Sequence, residues 1–154
     1  DEVRYNVFQA LQYLADWLSG NGCVALPATM KSHDGETVFV RVMDDLATTE
    51  RSRWELWAEV QHGRVSEEMF LTILQEEIDF IKGDCVEPTK RVQVKWTGAT
   101  ERWYPIAIQL LKDLVLTDDP VEFATELLMP YTFPTVRAHK APYDYVRQLN
   151  EGEK

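Results

Sequence analysis

The chain has few cysteines: only Cys23 and Cys85, with neither CxxC nor zinc-site spacing. A single disulfide between them stays open, but two buried or half-buried thiols in a reducing cytoplasm are the expected state. No apolar run approaches the roughly 20 residues of a membrane span. The opening Asp1-Glu2-Val3-Arg4 lacks the marks of a signal peptide, and the closing Gly152-Glu153-Lys154 is no peroxisomal address. Cytoplasmic residence without a membrane partner is therefore expected. Positive charge is scarce too. Sixteen Lys and Arg against 26 Asp and Glu leave a net charge of −10, which argues against nucleic acid or anionic lipid as a partner. The stretches Lys90-Arg91 and Arg137-Ala138-His139-Lys140 read either as a small patch for a phosphate-bearing cofactor or as solvated surface. No phosphate-cradling loop, zinc motif or serine-nucleophile motif is present. His33, His62 and His139 are scattered, each reading as a surface or capping residue.

What the chain does have is a globular composition. It is 45% hydrophobic and 11% aromatic over 154 residues, enough for one domain with a real core. Five tryptophans and six tyrosines are many for this length, and surplus large aromatics often serve interfaces.

Apolar residues at 3, 7, 11, 14 and 18 predict a first helix over residues 3–18, stopped by Ser19-Gly20-Asn21-Gly22. The period then changes to two. Asp34-Gly35 is a turn signal, and Val38, Val40 and Val42 alternate with Phe39 and Arg41, so a β-hairpin is expected over about residues 28–42. A second helix follows over about 48–61, ended by His62-Gly63. A third runs from a Ser66 cap to Lys82. A short strand is expected around Val92, Val94 and Trp96. A fourth helix covers about 100–116, its true start nearer Trp103 because Pro105 suits only a first turn. Thr117-Asp118-Asp119-Pro120 then caps a short fifth helix ending near Leu128, ahead of Pro130. The expected fold is mainly α: about five helices in a bundle-like domain with one inserted hairpin, spanning residues 1–131. Residues 132–154 would form an extended C-terminal tail.

The stretch with chemical promise is Asp44-Asp45, placed where a strand or loop ends and a helix begins. A helix start collects unpaired N–H groups and partial positive charge, so a carboxylate there can simply be a cap. It can also be a base held in place for a substrate proton. A second carboxylate or partial burial raises a carboxyl's pKa, and a helix N-terminus lowers it. Spacing alone leaves both readings open. Ala47, Thr48 and Thr49 are small, which suggests space beside the pair rather than a core position. Glu76-Glu77 reads as half solvated rather than as a catalytic dyad. Cys23 follows a flexible Gly-Asn-Gly turn but is expected to be buried and inert.

Met43-Asp44-Asp45-Leu46-Ala47-Thr48-Thr49-Glu50-Arg51-Ser52-Arg53 resembles the Met-Glu-Asp-Ala-Ala-Thr-Ala-Glu-Ile-Ser-Arg signature of malate synthases. Just upstream, the helix and turn from Tyr13 through Trp17-Leu18-Ser19-Gly20-Asn21-Gly22-Cys23-Val24 are similar to that family's Ala-Trp-Leu-x-Gly-x-Gly-Cys-Val-Pro segment. Downstream, Leu56-Trp57 and His62-Gly63 fit the helix after the signature, and residues 123–131 are loosely like the family's final Phe-Leu-Thr-Leu-Pro-Ala-Tyr. The resemblance implies a C-terminal helical domain that covers the mouth of a (β/α)8 barrel, its partner in the parent chain. In such an enzyme the barrel holds Mg²⁺ and glyoxylate, and acetyl-CoA condenses with glyoxylate to give malate and CoA. The family's catalytic base falls on Asp45. Asp44 is the neighbouring carboxylate, and Cys23 is a candidate neighbour of the CoA thiol end. Mg²⁺ and acetyl-CoA are thus expected in the full enzyme and none in this fragment alone.

Two departures from the family stand out. Asp44 replaces a glutamate, one methylene longer, and the hairpin occupies a place where the family has only a few residues. A barrel of roughly 250 residues is also not among these 154. The fragment alone is therefore expected to be inactive. Two rival readings accompany this one: a non-catalytic helical interaction module that retains the fold, and a condensing enzyme for a different acyl-CoA or keto acid.

Overall fold

The computed structural model describes residues 2–82 and 100–138, which fall into two compact units divided at Pro120/Val121. The expected strand at 92–96, and Cys85, lie outside the described residues.

The first unit is arranged around α1 (Glu2–Leu18). Residues 6–15 are buried without interruption, so this helix is enclosed by its neighbours rather than lying on the surface. It packs against α2 (Leu46–Gln61), α3 (Glu67–Lys82) and α4 (Tyr104–Val115). Leu11 and Leu14 of α1, Phe70, Leu74, Ile78 and Ile81 of α3, and Leu111 and Leu114 of α4 form the apolar core. Each fully buried side chain of this kind contributes about 1.5–3 kcal/mol. Ser66 caps α3 as expected, its Oγ accepting the Met69 amide at 3.1 Å. A 3-10 turn, Glu101–Trp103, leads into α4, where Pro105 sits in the first turn and removes an amide that has no helical partner there.

The mainly α fold with one inserted hairpin is thus observed. The hairpin is longer at its base than the expected 28–42: β1 (Val24–Lys31) pairs antiparallel with β2 (Thr37–Asp44), from Val24 opposite Asp44 to Lys31 opposite Thr37. Pro27 is accommodated in β1 because a two-stranded hairpin leaves each strand one unpaired edge. Gly35 takes φ +80° in the connecting turn, a conformation costly for any residue with a Cβ. Gly20, φ +106°, turns the chain out of α1 toward β1 in the same way.

In the second unit, the expectation of a short fifth helix and of an extended tail from 132 is corrected as far as residue 138. The rest of the expected tail, 139–154, lies outside the described residues. Helix α5 runs Thr125–Ala138, through Pro130 and Pro134. At the end of the first unit, Thr117 does not cap a helix: its Oγ1 accepts the Asp119 amide at 3.2 Å and closes a local turn. Helix α5 starts later, where Glu126 Oε1 reaches back to the Phe123 amide at 3.0 Å. The prolines withdraw donors from the helix, and the Thr132 hydroxyl bonds back to the Leu128 carbonyl at 3.4 Å.

Candidate functional site

The β2–α2 junction separates the two adjacent aspartates into different environments. Side chains alternate faces along a strand, so Met43 points out, 61% exposed, while Asp44 at the end of β2 points in and is 4% exposed. The chain then leaves the strand. Asp45 adopts extended angles (φ −122°, ψ −170°) as the N-cap of α2, and it is exposed. Its Oδ1 accepts the Thr48 amide at 3.2 Å and lies 3.4 Å from the Thr48 hydroxyl. Its backbone carbonyl accepts the Thr49 amide at 3.2 Å. Asp45 Oδ2 takes no hydrogen bond from the described residues. One oxygen is anchored and the other is available.

Asp44 has the opposite character. Its Oδ2 is buried with no hydrogen-bond partner among the described residues. Burial, followed by the neighbouring charge of Asp45, pushes its carboxyl above the usual aspartate value. The expectation of open space beside the pair therefore holds for Asp45 and fails for Asp44, because one strand position reverses the facing of a side chain.

The elements around the pair hold it from below. Tyr13 of α1 is fully buried, and its hydroxyl donates to the Gly22 carbonyl at 3.1 Å. That bond ties the glycine turn to α1 beside the start of β1. Burial, then the charges of Asp45 and Cys23, raise the Tyr13 phenol to about 12. Tyr13 thus feels the charges of both Asp45 and Cys23, which follow and precede the paired residues Asp44 and Val24 at the base of the hairpin. Cys23 is a free, exposed thiol, not the buried one expected, because the Gly-Asn-Gly turn carries it to the surface.

The face of α1 toward α2 is polar. Gln9 Nε2 donates to Thr49 Oγ1 at 2.9 Å, Ser52 Oγ donates to Asn6 Oδ1 at 3.2 Å, and Asn6 Nδ2 donates to Glu55 Oε2 at 2.9 Å. Arg53, 0% exposed, donates from Nε to Glu50 Oε2 at 2.7 Å and lies 3.8 Å over the Trp54 ring. Most of the signature-like stretch is therefore scaffolding. Thr48 orients the aspartate, Thr49 and Ser52 dock α2 on α1, and Glu50 with Arg53 braces α2 itself. Sequence reading missed Asn6, Gln9 and Tyr13. Their signal was a set of polar residues at spacings of three and four on a helix otherwise apolar on its buried positions.

The remaining candidates have structural roles. His62 is the C-cap of α2, its amide bonded to the Ala58 carbonyl at 3.0 Å, and His33 is exposed at the hairpin turn. Arg4 bridges Glu76 and Glu77; Glu76 is half exposed and Glu77 is nearly buried. Trp57, one of the surplus aromatics, donates to the Thr117 carbonyl at 2.8 Å and meets Trp54 edge-on at 5.4 Å. Among the described residues no three His, Cys, Asp or Glu converge in a way that could hold a metal ion. No described helix is long and apolar enough to cross a membrane.

The family model "Malate synthase, C-terminal" matches residues 1–130. The chain belongs to the malate synthase C-terminal family. Among curated relatives, malate synthase A of Escherichia coli K12 is 25% identical over 130 residues, covering 80% of this chain and 20% of the relative. The malate synthase of Dictyostelium discoideum is 25% identical over 150 residues, 92% of this chain and 23% of the relative. The glyoxysomal malate synthase of Brassica napus is 32% identical over 90 residues, 52% of this chain and 14% of the relative. The chain thus spans about a fifth of the length of the first of these relatives. This malate synthase C-terminal domain carries its signature-like stretch at the β2–α2 junction, with Asp45 at the N-cap of α2.

Proposed function

We propose that this malate synthase C-terminal domain supplies the general base for condensing acetyl-CoA with glyoxylate, and that Asp45 is that base. The observation that carries the reading is the half-anchored Asp45 carboxylate, with Oδ1 fixed by Thr48 and Oδ2 open on an exposed residue. A base must be held still and yet reach the proton it removes. Asp45 Oδ2 takes a proton from the acetyl methyl carbon. The enolate carbon attacks the aldehyde carbon of glyoxylate, and the resulting alkoxide is protonated. Water then cleaves the thioester, giving malate and CoA.

The developing enolate needs positive charge or N–H donors opposite the base. In this reading they belong to a (β/α)8 barrel elsewhere in the parent chain. Mg²⁺ would be held there and would polarise the glyoxylate carbonyl. The 154-residue chain alone is accordingly expected to turn nothing over. The exposure of Cys23 and its charge effect on Tyr13 support a role for this thiol near the thiol end of CoA.

The hairpin favours a second reading within the same chemistry. It ends directly at the base, with Met30 and Met43 exposed on it, so it can reshape which acyl-CoA or keto acid is accepted. A panel of acyl-CoA and keto-acid pairs assayed on the full-length protein separates the two.

The deciding experiment measures acetyl-CoA- and glyoxylate-dependent thiol release by the full-length protein carrying Asp45→Asn. Asparagine caps a helix about as well as aspartate, so the fold is kept while the base is lost. Turnover should fall by about 10²–10⁴-fold, the usual worth of a positioned acid or base. Near-normal turnover would overturn the assignment. A parent chain with no barrel-forming βα repeats upstream would favour a non-catalytic interaction module instead.

A further inference from the structure

Asp45 is the single residue between β2, which ends at Asp44, and α2, which begins at Leu46. A shift of either element therefore acts on it directly. The strand side offers a weak hold. A two-stranded hairpin is marginal by itself, and of its described side chains only Leu26 and Asp44 are buried, while Met30, Val42 and Met43 are exposed. A base misplaced by about 1 Å can lose a factor of about 10² in rate, so its hold has to come from the helix side.

Two adjacent threonines supply that hold in different ways. Thr48 holds the side chain, its amide 3.2 Å and its hydroxyl 3.4 Å from Asp45 Oδ1. Thr49 holds the backbone. Its hydroxyl donates to the Asp45 carbonyl at 3.3 Å, alongside the Thr49 amide at 3.2 Å. The same hydroxyl oxygen accepts Gln9 Nε2 of α1 at 2.9 Å. Gln9 and Thr49 are both 0% exposed, so water does not compete for the link between them. With Gln9 as the donor on one side, the one hydroxyl proton is left for Asp45. A threonine bonding back to the carbonyl four residues earlier is an ordinary helix contact. The buried continuation into a second helix is what ties Asp45 to α1. The signature that this stretch resembles has alanine where Thr49 stands, so the tie belongs to this chain rather than to the motif.

We propose that Thr49 is a positioning residue: pinned by Gln9, its hydroxyl fixes the main chain of Asp45 on α1 and so keeps the base in line with the proton it removes. The inference rests on the reading of Asp45 as the base.

The test measures acetyl-CoA- and glyoxylate-dependent thiol release by the full-length protein. Thr49→Val keeps the side-chain shape and removes the hydroxyl. It should lower kcat by about 10-fold to 10²-fold with KM for both substrates unchanged, and Thr49→Ser should restore kcat. Pairing Gln9→Leu with Thr49→Val separates positioning from mere stability. With both polar partners gone, the thermal midpoint should recover relative to Thr49→Val alone, while kcat stays low. A wild-type kcat in Thr49→Val overturns the proposal, and so does a kcat that recovers together with the midpoint. In an Asp45→Asn background Thr49→Val should cost nothing further, since no base is left to place; an additional loss overturns the positioning role. Near-normal turnover of Asp45→Asn overturns the base reading and this role with it, whereas an impaired Asp45→Asn beside a wild-type Thr49→Val overturns this role alone.

Discussion

The two sides of α1 differ in balance. Toward α3 and α4 it meets elements whose buried side chains are mainly apolar: Phe70, Leu74, Ile78, Ile81, Leu111 and Leu114. Its polar contacts there include the Tyr104 hydroxyl bonded to Gln12 Oε1 at 2.9 Å and Arg4 bridging Glu76 and Glu77. Toward α2 it presents Asn6 and Gln9 to Ser52 and Thr49. Apolar burial is strong but non-directional, so it fixes that helices pack without fixing their register finely. Hydrogen bonds contribute only about 0.5–1.5 kcal/mol net each, yet they demand distance and angle. The apolar side stabilises the domain, and the polar side sets where the first turn of α2 begins. Asp45 caps that first turn.

The comparison can be broken most forcefully from the apolar side. Leu11→Ala should cost about 2–5 kcal/mol in denaturant unfolding, since the side chain is fully buried. In the full-length protein it should lower the midpoint of unfolding far more than it lowers turnover at a permissive temperature. Alkaline pH probes the junction next. The Tyr13 phenol, ordinarily 10.0, is raised to about 12, so the native state holds its proton longer than the unfolded state. The associated stability is complete below pH 10 and is lost as pH rises to about 12. The loss should be on the order of 2 kcal/mol, because each tenfold gain in proton affinity is worth about 1.36 kcal/mol. Tyr13→Phe should flatten that limb only in part, because buried Tyr104 is displaced in the same direction.

Gln9→Leu should cost about 1–3 kcal/mol by removing a buried partner of Thr49. Unlike the leucine change, it should lower turnover of the full-length protein disproportionately, because the start of α2 is released. Equal losses of stability and turnover from both variants would erase the distinction between the two faces. The smallest expected effect is Asp45→Ala on the isolated chain, about 1 kcal/mol for a lost cap, recovered by Asp45→Asn. That recovery of stability without recovery of turnover separates the capping role of Asp45 from its proposed chemical role.

Much of this architecture was legible because its signals are local. The leucine spacing of α1, the Asp34-Gly35 turn and the Ser66 cap each act within a few residues, and each element formed where they pointed. The errors fell where a distant or competing interaction decided. Helix α5 runs through Pro130 and Pro134, while Thr117 closes a turn instead of capping a helix. Strand β1 starts at Val24, ahead of a proline that a hairpin edge can accommodate. At the candidate site, the aspartate pair was visible, and so was the bare possibility of a cap or a base. Invisible were Tyr13, Gln9 and Asn6, whose partners lie 9, 40 and 46 residues away in sequence.

The sequence by itself determined that a helix begins beside two carboxylates, since an N-cap aspartate followed by threonines satisfies donors that no helix can satisfy internally. Only the tertiary structure decided that the two carboxylates differ. Strand alternation turns Asp44 inward, where it is buried, and the change to helix turns Asp45 out toward solvent. Adjacent residues of the same type acquire different charge preferences because the cost of a charge depends on what surrounds it, and that is set by elements brought together from across the chain.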